Sequence, residues 1–330
     1  MIEENEISIK SNGGTERMKR GLAERLPAKL LEPFQIICSR VREINKDLIR
    51  VYWIHDLPDD PELEHLRNEA SRDRFHKFVF CGQWQYNRFQ SLLNFPYDGK
   101  STVIETAIDP IEFEPKSFDK IRLIYTSTPQ RGLELLVPVF EELAKKYPNI
   151  HLDVFSSFKI YGWDEADRGY EPIYDRIRSH PQMTYHGYAP NDVVKDYLRK
   201  AHIFAYPSIW MECNSQSLIE AMSAGLLCVH PNFAGLTDTS GGMTMQYQGS
   251  SNHQEHANIF YNHMCVAIEA IKLTETQNYL SFVKSYADNR FNWQKVTSNW
   301  AALLDGMSKR YPTVESRDIP KPMFTYRTTP

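Results

Sequence analysis

The sequence has no run of about 18 apolar residues, the length a helix needs to cross a bilayer. Its opening stretch carries Glu3, Glu4, Glu6, Lys10, Glu16, Arg17, Lys19 and Arg20, which leaves no apolar core for a secretory signal. Cysteine is scarce: Cys38, Cys81, Cys213, Cys228 and Cys265 are scattered and never form a CxxC pair. That argues against a disulfide framework and against a cysteine zinc site, and suits a reducing compartment. No Asp-x-Asp triplet and no HExxH occur, and the 11 histidines show no zinc spacing, so no metal site is expected. Excess charge is also lacking. A net charge of -4 gives no global case for nucleic acid or anionic membrane. These absences describe a cytoplasmic protein, with at most peripheral contact with a membrane.

What is present is an ordinary globular composition, 42% apolar and 24% charged, in a chain of 330 residues that is long enough for two domains. Short apolar runs alternate with segments of helical length. Strands are expected at Glu6–Lys10, Phe34–Cys38, Arg50–His55, Lys77–Cys81 and Ser101–Glu105. A second set follows at Ile121–Thr126, Ile150–Phe155, Met183–His186, Ile203–Tyr206 and Leu226–His230. The alternation predicts an α/β fold of parallel sheets covered by helices. The proline-bearing, charged stretch Asp109–Lys120 reads as a linker. It gives domains over 1–117 and 118–291, a helix over about 292–310 with Trp293, Val296, Trp300 and Leu304 at helical spacing, and an extended tail over 311–330.

The segment from Pro207 to Asp238 carries the most chemistry. Between Cys213 and Thr237, Glu220 is the only Asp, Glu, Lys or Arg. A helix so poor in charge packs between other elements, and a carboxylate there needs partners. Either it is partly exposed or bonds neighbouring backbone, or it accepts hydrogen bonds from a vicinal diol such as a nucleotide ribose. Glu212 precedes Cys213, Asn214 and Ser215, a small polar stretch that suits a helix N-terminus with Asn214 or Ser215 as cap. Free N–H groups at such an end attract phosphate. Glu212, too close to phosphate to bind it, suits hydroxyls of a sugar folded beneath a diphosphate. Arg131, at a helix start after a strand, is either a surface arginine or a phosphate clamp. His55 and Asp56 end a strand, where α/β domains place ligand sites, although a packed role suits a lone histidine almost equally.

A Glu, seven intervening residues and a second Glu followed by Ala221 and Met222, then small residues and an apolar strand, resembles the donor-site signature of family 4 retaining glycosyltransferases. Ser11–Glu16 with Gly13 and Gly14 resembles that family's glycine-rich loop. Thr102–Asp109 with Phe113 and Pro115 resembles its approach to the linker, and Ser127–Leu133 its diphosphate loop. His186, Gly187 and Tyr188 resemble the loop near the base, and Phe291–Trp293 the start of the terminal helix.

The resemblance, over about residues 10–305, implies the GT-B fold: two Rossmann-like domains facing a cleft, with a C-terminal helix crossing back to the first. It implies a sugar transfer with retention of anomeric configuration, from a UDP- or GDP-linked donor to an acceptor hydroxyl. Donor contacts would come from Gly13, Gly14, Ser127, Arg131, Tyr188, Cys213, Asn214, Ser215 and Glu220. Catalytic roles would fall to His55, Asp56 and Glu212, with no cofactor and no metal. One departure stands out: Thr126 and Ser127 occupy the place where the family has a first basic residue.

The acceptor is expected to be a surface or lipid-linked glycan. Nucleic acid stays open, although the 17 basic and 20 acidic residues of 1–117 do not favour it. The alternatives are a GT-B sugar-nucleotide epimerase and a non-catalytic, donor-binding scaffold subunit.

Overall fold

A computed structural model describes residues 2, 11–95 and 99–318. The expected strand Glu6–Lys10 and the tail beyond 318 lie outside them. The described residues fall into two compact units. One comprises residues 2, 18–95, 99–104 and 297–318, and the other residues 11–17 and 105–296.

Helix α1 (Gly14–Arg25) runs from the second unit into the first, and α2 is the single turn Ala28–Leu31. Strands β1 (Phe34–Cys38), β2 (Ile49–Ile54), β3 (Lys77–Phe80) and β4 (Ser101–Val103) form the first unit's parallel sheet, in that order. Helices α3 (Glu69–Arg72) and α4 (Gln83–Leu93) flank β3 in the chain. β1 and β2 are buried at every position, so they read as near-continuous apolar runs broken only by Gln35 and Arg50. Much of this core is aromatic: Tyr52 stacks on Phe75 with centroids 4.8 Å apart, and Phe80 packs on Phe89 and Phe95.

The second unit begins its sheet with β5 (Ile121–Thr126) and continues through α5 (Leu133–Lys146), β6 (Ile150–Phe155), α6 (Glu171–Ser179), β7 (Met183–Tyr185), α7 (Asn191–Lys200) and β8 (Ile203–Ala205). It ends with α8 (Gln216–Ser223), β9 (Leu227–Pro231), α9 (Gly235–Ser240), β10 (Met245–Tyr247), α10 (His253–Ala270) and α11 (Thr274–Arg290). The sheet order is β10-β9-β8-β5-β6-β7, parallel throughout. The chain therefore builds outward from β5 to β7, returns to β5's other side at β8, and builds outward again. That reversal leaves a crevice beyond the carboxyl ends of β5 and β8, where open α/β sheets hold ligands.

The division between units falls after residue 104. In the charged stretch Asp109–Lys120 most residues are exposed, Lys116 and Phe118 are half-buried, and Ile111 is buried and donates its N–H to Ser223 Oγ at 2.9 Å. Helix α12 (Trp293–Arg310) starts where expected, with Asn292 Oδ1 accepting from Lys295 N at 2.8 Å. From Thr297 onward it belongs to the first unit, where Trp300 packs on Trp53 with centroids 4.8 Å apart.

Candidate functional site

The loop after β5 is shaped by one glycine. Gly132 has φ 120°, a region closed to side chains, and an added Cβ would overlap the Pro207 carbonyl oxygen and lie 2.9 Å from its carbon. The turn Pro129–Arg131 is thereby pressed against the segment following β8, across the switch point. Tyr125 donates to the Thr128 carbonyl at 2.8 Å and steadies the turn from below.

Arg131 is the centre of this loop. Its Nη1 bonds and ion-pairs with Glu212 Oε1, its Nε donates to Thr128 Oγ1 at 3.1 Å, and its Nη2 reaches Tyr161 Oη at 3.5 Å. Its guanidinium carbon lies 5.8 Å from the centroid of Trp210, within cation–π range. Burial works against the guanidinium's charge, but the Glu212 carboxylate more than offsets it and holds the pKa well above the ordinary arginine value. Glu212 also accepts from Tyr206 Oη at 2.5 Å, and burial, reinforced by that carboxylate, pushes the Tyr206 phenol up. The residues expected to serve phosphate and sugar separately are thus an ion pair.

Helix α8 follows the second expectation closely. Ser215, not Asn214, is its cap, with Oγ accepting from Leu218 N at 3.4 Å. Leu218 to Ser223 are all buried, which explains the shortage of charge in the sequence. Glu220, 4% exposed, accepts on Oε1 from Arg17 Nη1 at 3.0 Å and from Asn191 Nδ2 at 2.9 Å. Both glutamates are therefore held the same way. Among the described residues every hydrogen bond to either carboxylate lands on Oε1 and none on Oε2.

The other second-unit candidates divide into two groups. Gly13 and Gly14 allow close approach, since an added Cβ would lie 2.8 Å from Tyr161 Cε1 or 3.1 Å from Gln216 Oε1. Ser127 Oγ lies 3.4 Å from Tyr206 Oη, and the exposed Tyr188 accepts from Asn12 Nδ2 at 3.0 Å. Asn214 serves structure: Oδ1 takes the Thr106 hydroxyl, and Nδ2 donates to Thr239 Oγ1 at 3.2 Å. The Cys213 and Glu212 carbonyls press on Gly235, where a Cβ would overlap both oxygens.

Several participants were not foreseen: Arg17, Asn191, Tyr161, Tyr206 and Gln216. Polar atoms shielded from solvent and without partners also gather here: Thr126 Oγ1 at the end of β5, Ser156 Oγ after β6, Gln130 Oε1 in the turn, Ser11 Oγ in the glycine-rich segment and Arg17 Nε in α1. Unsatisfied groups at this density are costly in a finished interior and suit a site that a polar ligand completes.

His55 and Asp56 lie in the first unit, at the end of β2. His55 Nδ1 is 3.3 Å from Cys81 Sγ, its backbone N–H donates to Ser39 Oγ at 3.1 Å, and Nε2 is shielded from solvent without a partner. Asp56 lies 4.0 Å from Arg40. Burial, with Lys19 adding to it, lowers the His55 pKa from 6.5 to about 3. The unfolded chain takes up this proton below pH 6.5, whereas the folded unit does so only near 3. Its contribution to stability is therefore complete above pH 6.5 and is lost as the pH falls toward 3. In urea unfolding at pH 7 and pH 5, His55→Gln should reduce the loss of stability between the two. An unchanged difference would show that His55 is not buried in its neutral form.

Residues 121–254, from β5 to the start of α10, match the family described as Glycosyl transferases group 1. Through this segment, about two-fifths of its length, the chain is similar to that family. The match contains Arg131, Glu212 and Glu220. One component of the human phosphatidylinositol N-acetylglucosaminyltransferase is 28% identical over 142 residues, a stretch that covers 42% of this chain and 28% of that protein. The chain thus matches little more than a quarter of that relative's length.

Among solved structures, a glycosyltransferase from Rickettsia africae superposes with a TM-score of 0.67 at 12% identity, covering 88% of this chain and 81% of that one. Sucrose-phosphate synthase from Thermosynechococcus elongatus gives 0.64 at 14%, covering 89% and 79%. The Anabaena protein HepE in complex with UDP-glucose gives 0.62 at 15%, covering 84% and 81%. The likeness is one of fold: two parallel Rossmann-like sheets, as in GT-B structures.

Proposed function

We propose that the protein transfers a sugar from a nucleoside-diphosphate sugar to an acceptor hydroxyl. One observation carries this reading: at the switch point of the second sheet, two buried carboxylates are each fixed through Oε1 and present an unbonded Oε2. Glu220 serves the ribose diol and Glu212 the hydroxyls of the donor sugar. The turn Ser127–Gly132 and Arg131 take the diphosphate, so that charge developing on the leaving phosphate meets donors already in place. The bond from the anomeric carbon to the phosphate oxygen breaks, the bond to the acceptor oxygen forms, and the acceptor proton passes to the leaving diphosphate. Retention follows if attack comes from the leaving-group side. His55, neutral and with Nε2 unbonded, offers a hydrogen bond to a sugar hydroxyl.

Two solved neighbours support a uridine nucleotide as first candidate: HepE was solved with UDP-glucose, and the pneumococcal O-GlcNAc transferase GtfA with UDP and GlcNAc. The acceptor proposed is a glycan or lipid-linked glycan. Among the described residues no helix is long and apolar enough to cross a membrane.

The test is a panel of UDP- and GDP-sugars assayed for hydrolysis and transfer, with and without EDTA. Among the described residues no group of three or more His, Cys, Asp or Glu could hold a metal. Turnover should therefore survive chelation and fall at least about tenfold in His55→Ala, roughly 1.4 kcal/mol in the barrier. Activity abolished by EDTA and restored by magnesium would contradict the proposed phosphate site. A donor converted to its epimer with no transfer would replace the reading with an epimerase.

A further inference from the structure

In the sequence Arg17 is one cation of a charged opening stretch, yet in the fold its guanidinium makes a two-pronged contact with α8. Nη1 donates to Glu220 Oε1 at 3.0 Å and Nη2 to Gln216 Oε1 at 2.8 Å. Those two side chains are four positions apart and so lie on one face of the helix. A planar fork can span both acceptors, which a lysine ammonium cannot do.

The approach has its own cause in the sequence. A Cβ at Gly14 would stand 3.1 Å from Gln216 Oε1, so the glycine leaves the space through which Arg17 reaches α8. Asn191, from α7, adds a second donor on the same Glu220 oxygen at 2.9 Å. The carboxylate is 4% exposed, and without a countercharge its burial would be costly.

We infer that Arg17 is a positioning residue, which fixes the Glu220 carboxylate so that Oε2 faces a ribose diol and thereby sets the site's preference for ribonucleoside diphosphates. The inference rests on the donor-site reading above and adds to it the residue on which Glu220's orientation depends. Arg17 acts through Glu220, without touching phosphate. Its loss should therefore matter only for ligands that carry the diol.

Calorimetry with uridine and guanosine diphosphates and their 2′,3′-dideoxy counterparts separates these effects. The wild-type protein should prefer the ribo form of the better-bound base by about tenfold, the scale of a charge-assisted hydrogen bond. Arg17→Met and Arg17→Gln should weaken the ribo form by about that factor and leave the dideoxy form unchanged, so that the preference collapses. Arg17→Lys, which keeps the charge without the fork, should restore only part of it. Cooperative urea unfolding of each variant establishes that it is folded, and the neutral pair of variants guards against one of them failing. Equal weakening of ribo and dideoxy ligands would overturn the inference in favour of a direct phosphate contact. A preference that survives both neutral variants would also overturn it. A wild-type protein that binds both forms equally would remove the Glu220–ribose reading itself, and this inference with it.

Discussion

Arg131→Ala should cost about 3 kcal/mol of stability, because it leaves the Glu212 carboxylate buried with Tyr206 as its remaining partner. The cost comes less from losing an attraction than from stranding a charge in a place that water does not reach. A paired change separates the two. Arg131→Met combined with Glu212→Gln strands no charge and should recover most of the stability, since replacing both members of a buried pair is often near neutral. Donor turnover should stay low in the double variant, because the phosphate cation and the sugar acceptor are both gone. Urea unfolding of Arg131→Met, Glu212→Gln and the double variant forms the cycle. Additive losses would show that the pair is too well solvated to act as a unit.

Gly132→Ala should be comparably severe for a different reason. At φ 120° any side chain is strained, by about 1–3 kcal/mol. The added Cβ also overlaps a backbone oxygen, at Pro207, which cannot swing aside as a flexible side chain could. Overpacking of that kind costs a further ~1–3 kcal/mol. Gly306, inside α12, is the control: nothing lies within 4 Å of its would-be Cβ. Gly306→Ala should raise stability by about 0.5–1 kcal/mol through helix propensity alone. Thermal or urea unfolding of both variants should therefore show opposite signs. A tolerated Gly132→Ala would mean that the loop after β5 does not need its close approach to the segment after β8.

How much of this was legible in the sequence depended on range. Phe34–Cys38, Ile121–Thr126 and Ile150–Phe155 were read to the residue because most positions in them are buried and apolar residues dominate each segment. Met245–Tyr247 was not foreseen: it is three residues long, at the sheet's edge and largely half-buried, so it shows neither a run nor an alternation. The burial of Glu220 was legible in the absence of other charges around it. Its partner was not, because Arg17 lies 203 positions away and looked like one cation among many. The Arg131–Glu212 pair, 81 positions apart, was hidden for the same reason: sequence context gave each residue a ligand and could not show that each was the other's counterion. Asn214 was expected among the donor contacts, and in the fold its amide is occupied by Thr106 and Thr239.

The central claim is that the two glutamates serve opposite ends of one donor, and calorimetry with uridine diphosphate and UDP-glucose on folded Glu220→Gln and Glu212→Gln variants tests it most directly. Glu220→Gln should weaken both ligands by about 1–2 kcal/mol, since both carry the ribose. Glu212→Gln should weaken UDP-glucose and spare uridine diphosphate, which has no sugar for it to hold. If both substitutions weaken uridine diphosphate equally, or if neither changes either ligand, the assignment of these carboxylates to a nucleotide-sugar site is contradicted.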